Sequence, residues 1–361
     1  MDTKVAEVPR TIANLPGVAT VPATDTTSQL PRLVVHNSDL MVYKRCRQQW
    51  DFTSPLRRNL EPSRPVEPLE FGTIWHRAVE DYYTTGLSES HREIDRSFAL
   101  WESKFPDIGP EDEEELKVLR DLAHGMIDNY DGYAQEKDDF EIVWHEKSYE
   151  VHLFDTPTHS VYYGFKPDAL LERNGLLYLG EWKSAKTLPG DRTDYLLTDD
   201  QVGRYLWGIR EAEGIEVEGA IYRVSRKAAP HPLKPLKKGG FSIDKRQLTI
   251  YDIAYKQLSD EYPSRIPPNY LEYLTYLKTK GYSDYFFNEP VRRNPAELEN
   301  IGRSLKAEAL EMISDPYIHR TPSSYNCNYC AFVGPCITRW EGRDVETVLK
   351  GNYKEREPVG H

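Results

Sequence analysis

Two short runs in the middle of the chain, residues 161–171 and 176–182, are rich in β-branched and aromatic residues and read as strands. Between them lies Glu172-Arg173-Asn174-Gly175, and an Asn-Gly pair flanked by apolar runs predicts a tight hairpin, which makes the strands antiparallel neighbours. Elsewhere apolar residues recur at three- and four-residue spacing, the pattern of a helix with one buried face. Residues 72–80 open one such helix, with apolar positions at Ile74, Trp75, Ala78, Val79, Tyr82 and Tyr83. Ser38 is placed to cap another, which offers Leu40, Tyr43 and Trp50 to a core and sets Cys46 at a helical position. A third helical pattern starts near Gln201 and continues to about Glu213.

The strand period decides where the charged residues point. Side chains alternate faces along a strand, so Glu181 and Lys183 share one face while Trp182 takes the other. Asp168 joins them from the partner strand. Two carboxylates can hold Mg²⁺ or Mn²⁺ with open positions for water, and the ion can polarise a phosphoryl oxygen. A lysine beside that ion can orient the water or neutralise charge growing on the phosphate. By itself a D…ExK pattern is weak, since acidic and basic residues alternate on many solvated strands.

Further residues strengthen it. His76 and Glu80 are one helical turn apart and share a face, so an imidazole can complete a site built on Asp168 and Glu181, with a slight preference for Mn²⁺. Gln201 and Tyr205 also share a helical face, where an amide and an aromatic hydroxyl can contact a phosphate or stack on a base; Arg204 beside them is a weaker candidate for phosphate contact.

The chain has four cysteines, Cys46, Cys327, Cys330 and Cys336. The chain opens without a charged, then apolar, export segment, so a reducing cytoplasm and metal binding are the expectation over disulfides. Spacing leaves Zn²⁺ and an iron–sulfur cluster level. Either would close a loop of roughly 280 residues and staple the two ends of the domain together, a structural role.

Taken together these residues resemble the RecB-like branch of the PD-(D/E)XK nuclease superfamily, in particular its iron–sulfur members: the CRISPR-associated RecB-like exonucleases, the AddB nuclease domain and phage-encoded relatives. The resemblance runs from about residue 34 to 340. It implies an α/β fold, a restriction-endonuclease-like core with a central mixed β-sheet flanked by helices, carrying helical insertions and an iron–sulfur staple. It also implies roles. His76, Asp168, Glu181 and the backbone carbonyl of Trp182 would hold Mg²⁺ or Mn²⁺, with Lys183, Asp168 and Glu181 catalytic. Gln201 and Tyr205 would position the strand, and Cys46, Cys327, Cys330 and Cys336 would bind a 4Fe-4S cluster, with Zn²⁺ as the alternative. The implied reaction is DNA hydrolysis leaving 5′-phosphate and 3′-hydroxyl ends. Two departures stand out: Arg47 follows Cys46 where relatives often carry proline, and helical stretches at about 88–135 and 245–315 lengthen the chain.

Composition shapes the rest. The expected layout is a disordered segment over residues 1–32, a nuclease domain over 33–345 with its cysteine cluster at 325–340, and a flexible tail over 346–361. No apolar run approaches the length of a membrane helix. A net charge of −12 is the wrong sign for a chain that coats DNA. The acidic run at 111–115 contrasts with Arg223, Arg226, Lys227, Lys234, Lys237, Lys238, Lys245 and Arg246, a loop that reads equally as one tracking a DNA backbone and as a solvated surface loop. That contrast favours single strands or free ends threaded inward. There is no GxxxxGK[ST] motif, so any helicase or recombination partner acts in trans. A homo-oligomeric ring would suit processive threading. The competing readings are a non-catalytic nucleic-acid-binding module and an RNA-directed nuclease.

Overall fold

In the computed structural model, residues 30–63, 67–104, 109–190, 193–314 and 317–356 are described. Among them five strands form the central sheet in the order β3 (Glu141–His145), β6 (Ala169–Arg173), β7 (Leu176–Ala185), β8 (Gly219–Arg226) and β9 (Phe286–Val291). The pairing of β7 with β8 is parallel and the others are antiparallel. The expected mixed sheet is therefore present.

The β6–β7 hairpin turns through Asn174 (φ 54°) and Gly175 (φ 77°), the two positive values that a tight hairpin turn demands and that Asn and Gly supply most readily. The run at 161–171 is not one strand, however. It divides into β5 (Ser160–Phe165) and β6, because Pro167 between them has no N–H to continue a ladder. The two pieces enter different sheets. β5 is the middle strand of a smaller sheet, parallel to β1 (Arg32–His36) and antiparallel to β4 (Tyr149–Asp155). Asp168 sits at the switch between them.

The parallel β7–β8 pair needs a crossover, which a short helix α6 (Asp194–Leu197) and the longer α7 (Asp200–Glu213) provide. The Asp199 carboxylate accepts the Val202 N–H and caps α7, which ends at the left-handed Gly214. Against α7 lies α10 (Pro295–Ile313), which opens with a capping box of Asn294 and Glu297. The two helices approach closely at Gly302, where a Cβ would lie 2.3 Å from the Trp207 indole nitrogen.

Alternation along the strands splits the apolar residues into two cores. Leu170, Leu179 and Val224 face α7, α10 and the smaller sheet. Ala169, Leu171, Tyr178, Trp182 and Ile221 face α3 (Glu67–Thr85), α4 (Leu87–Ser103) and α5 (Pro110–Lys137). The acidic run at 111–115 lies at the start of α5, where the helix dipole favours carboxylates.

Three expectations change. The stretch at 245–315 holds α8 (Tyr251–Glu261) and α9 (Pro268–Lys280), which with Leu233 build a small core of their own, but it also contributes β9 and α10 to the main body. The chain after 345 is not a tail up to residue 356. Asp344 caps α13 (Val345–Asn352), and β10 (Tyr353–Glu355) pairs with β2 (Leu60–Pro62), held by Leu349 packing with Phe52 and Phe332. Finally, Arg223 is not on a basic loop. It is buried in β8, bonded to Asp138 (2.6 Å), the Tyr130 hydroxyl (2.9 Å) and the Tyr83 hydroxyl (3.0 Å). The disordered segment expected before residue 30 lies outside the described residues. No helix among those described is long and apolar enough to cross a membrane.

Candidate active site

The site forms where α3, the β5–β6 switch, β7 and α7 meet. Asp168 leaves the switch with one carboxylate oxygen accepting the Trp182 N–H at 2.8 Å. Its other oxygen lies 3.3 Å from Nδ1 of His76, which α3 delivers from above the sheet. Burial pushes the Asp168 carboxyl up, but the neighbouring His76 and Lys183 charges and the Trp182 N–H hold it below its ordinary value. Burial likewise opposes charge on His76, and the Asp168 carboxylate overcomes it, raising the imidazole above its usual range.

Glu181 and Lys183 share a face of β7, as the strand period requires, and form an ion pair. Glu181 is buried, and burial pushes its carboxyl up to about 7 even though Lys183 pulls the other way. The Lys183 ammonium, disfavoured by burial, is raised by Glu181 and then by Asp168. From α7, the Gln201 amide donates to Glu181 Oε1 (2.8 Å) and to the Tyr205 hydroxyl (3.1 Å).

Next to this set is a depression lined by His76, Glu80, Tyr83, His145, Glu146 and Asp168. His145 and Glu146, at the end of β3, carried no signal in the sequence. Glu146 holds a left-handed backbone (φ 42°), and its N–H donates to the Asp168 carbonyl oxygen (2.9 Å). Glu80 faces Glu146 and is raised by burial and by that carboxylate.

Among the described residues no three or more His, Cys, Asp or Glu side chains close into a metal-holding group. The chemistry of the donor set nevertheless fits a hard dication. Asp168 and His76 line the depression together with Glu80 and Glu146, and the neighbouring Glu181 is buried beyond what Lys183 offsets, so added positive charge there is favourable.

The model of the PD-(D/E)XK nuclease superfamily matches residues 37–336. The chain belongs to this superfamily. No curated protein matches it. PD-(D/E)XK nucleases hydrolyse phosphodiester bonds of nucleic acids and typically use divalent metals, and the mixed sheet flanked by helices fits their fold.

In this PD-(D/E)XK nuclease three expected contact residues stand elsewhere than the sequence suggests. Arg204 is buried and bonded to Asn37 (2.7 Å), Asp200 (3.2 Å) and Glu308 (2.6 Å), so its guanidinium ties α7 to α1 (Asn37–Arg45) and α10 and is not presented to a phosphate. Tyr205 is buried with its ring packed on Phe165, which leaves no face for a base. Gln201 spends its amide on Glu181 and Tyr205. Gln201 thus meets the Glu181 carboxylate directly, and Tyr205 meets Gln201.

The cysteines are drawn from both ends of the chain. Cys46 does not lie inside a helix: it is the extended residue at which α1 stops and α2 (Arg47–Thr53) starts. Cys327 is in α11 (Ser324–Asn328), Cys330 follows it, and Cys336 is in α12 (Val333–Trp340). The Thr321 N–H reaches Cys46 Sγ (3.4 Å), and the Asn326 amide reaches the Arg45 carbonyl (3.4 Å). All four thiols are free and half-buried. Burial raises the Cys330 and Cys336 thiols, and the other cysteines of the set raise them further.

Proposed function

We propose that this nuclease is a Mg²⁺- or Mn²⁺-dependent DNA exonuclease acting on single strands or ends, of the RecB-like kind. The observation that carries the reading is the cluster in which His76 pairs with Asp168 and Glu181 with Lys183, the two pairs close enough to shift one another's charge and brought together from three elements. His76, Asp168, Glu181 and the Trp182 carbonyl would hold the ion. When bound, it supplies Lewis acidity to the attacked phosphate and lowers the pKa of water.

The chain's own residues do the rest. The Trp182 N–H and His76 fix the Asp168 carboxylate in place. Gln201 and Tyr205 hold Glu181 in one orientation, so that little reorganisation is needed as the reaction proceeds. Lys183, with its ammonium kept charged by two carboxylates, stabilises negative charge that grows on the phosphate as the P–O3′ bond breaks. The four cysteines take a 4Fe-4S cluster with a structural role, or Zn²⁺ in its place; four reduced thiols gathered from both ends of the chain support this. A helicase would act in trans, and an oligomer would serve threading.

The test is cleavage of 5′- and 3′-labelled single- and double-stranded DNA with Mg²⁺, Mn²⁺ or EDTA, comparing wild type with Lys183→Ala. Cleavage that needs the ion and falls by a factor of about 10² or more in the variant, with DNA binding retained, is the expected result. Equal activity in the variant would refute the assignment, and cleavage of RNA alone would move the substrate.

A further inference from the structure

A trough of about 440 Å³ opens beside Lys183, and it shares no residue with the depression that His76 and Asp168 line. Its walls include Lys183 on β7, Thr187, Leu188 and Pro189 in the loop that follows, Tyr195 on α6 and Tyr222 on β8. The register of the parallel pair explains the floor. Tyr222 stands beside Glu181 and Val224 beside Lys183, and neighbours across a sheet point the same way, so these four side chains share one face. At the start of the crossover, α6 brings Tyr195 to that face.

The lining is unusual for an acidic chain. Among the described residues that line the trough Lys183 alone is charged and none is a carboxylate, although the chain as a whole carries −12. An ammonium bordering an otherwise neutral and largely apolar hollow suits a ligand that is anionic at one point and flat and uncharged over the rest. A nucleotide has that form, with its base one sugar away from its phosphate. Tyr195 is 45% exposed, so its ring is open to a ligand, whereas the Tyr205 ring is covered by Phe165. Tyr222 is buried, and it lies near enough to Lys183 and Tyr195 to feel the charge of each. A tyrosine can stack on any base, because every base has a π-face, but only a base that has left its own stack offers that face.

We propose that this trough is a base-binding subsite, in which Tyr195 stacks on one unpaired base of the strand whose phosphate meets Lys183, with Tyr222 as part of the floor. The inference rests on the proposed function, which puts a phosphate at Lys183. The volume is that of a cleft for one small molecule, a class that runs from about 300 to 1,000 Å³. The subsite gives the preference for single strands a local cause. A base inside a duplex has neighbours on both faces and has to be extruded from them before it can meet Tyr195, at a cost of unstacking and unpairing. Stacking reads the face of a base and not its edge, so the subsite is tolerant of sequence.

The experiment is fluorescence anisotropy of the full chain in EDTA, with three probes of equal length: a labelled thymidine oligonucleotide, the same strand made wholly of abasic nucleotides, and a duplex. Tyr195→Ala should weaken binding of the thymidine strand by about 5- to 100-fold, and Tyr195→Phe, which keeps the ring, should bind as wild type does. On the abasic strand, which offers the same phosphates and no base, wild type and Tyr195→Ala should be equal, and so they should be on the duplex. Tyr195→Leu, which keeps apolar bulk on α6 and loses the flat ring, replaces the alanine variant if that one unfolds. Unchanged affinity of the folded variant for the thymidine strand, or an equal loss on the abasic strand, would overturn the proposal. Binding is read here without turnover, so a chain that binds in this base-dependent way and cuts nothing would count against the proposed reaction and leave the subsite standing.

Discussion

Gln201 and Lys183 converge on the same oxygen of Glu181, one from α7 and the other from the strand that carries the carboxylate itself. Glu181 therefore has its direction set from two sides. Replacing Gln201 by Leu should lower kcat by about 10- to 100-fold while changing KM little, because the lost bond orients a group and binds nothing. A rise in KM at constant kcat would instead place Gln201 on the DNA. Single-turnover kinetics distinguish the two.

Metal binding should be visible without turnover. An ion that binds the folded chain and not the unfolded one stabilises it, by about 2.7 kcal/mol at 100 times its dissociation constant. Mn²⁺ should therefore raise the Tm of wild type in thermal unfolding, and EDTA should reverse the rise. Asp168→Asn should lose most of it. An equal Mn²⁺ response in that variant would place the ion elsewhere.

Arg223 is an exacting charge to bury. It is buried, and Asp138 and two tyrosine hydroxyls depend on it. Arg223→Met should cost about 3–5 kcal/mol, since it removes the only charge paired with Asp138 among the described residues and leaves that carboxylate with the Tyr83 hydroxyl alone. Adding Asp138→Leu should recover part of that loss. Urea unfolding of the single and double variants measures both terms, and a single variant as stable as wild type would show the network to be idle.

The cysteine set predicts a spectroscopic result. Anaerobically purified protein should absorb in the visible region as an iron–sulfur protein does, and Cys330→Ala should lose that absorbance together with soluble yield. A colourless wild type containing one Zn²⁺ at the thiols would decide for the alternative.

How much of this was legible in the sequence follows from the range of the interactions. The β6–β7 hairpin was legible because Asn174 and Gly175 supply a backbone conformation few residues adopt. The shared face of Glu181 and Lys183 followed from the strand period alone. The sheet switch at Pro167 was missed because both flanking runs look equally β-like, and only the position of a partner strand tells where one ladder ends. Arg223 and Arg204 were misread for a related reason. An arginine looks solvated in sequence until its carboxylate, Asp138 for Arg223 or Glu308 for Arg204, arrives from far away in the chain. The edge strand β9 was hidden inside a helical stretch. Tyr205 showed its residue type but not that Phe165 would cover its ring.

The pairing of β10 with β2 and the gathering of Cys46 with the residues after 317 give the nuclease a late-closing clasp. Almost three hundred residues separate the two sides, so a ribosome must have released nearly the whole domain before this part can assemble, and the loop-closure entropy falls on the last step. Until then α2 and β2 lack their C-terminal partners, while the residues of the β6–β7 hairpin that carries Glu181 and Lys183 are already all present. The hairpin can thus form early in a chain whose clasp has not yet shut.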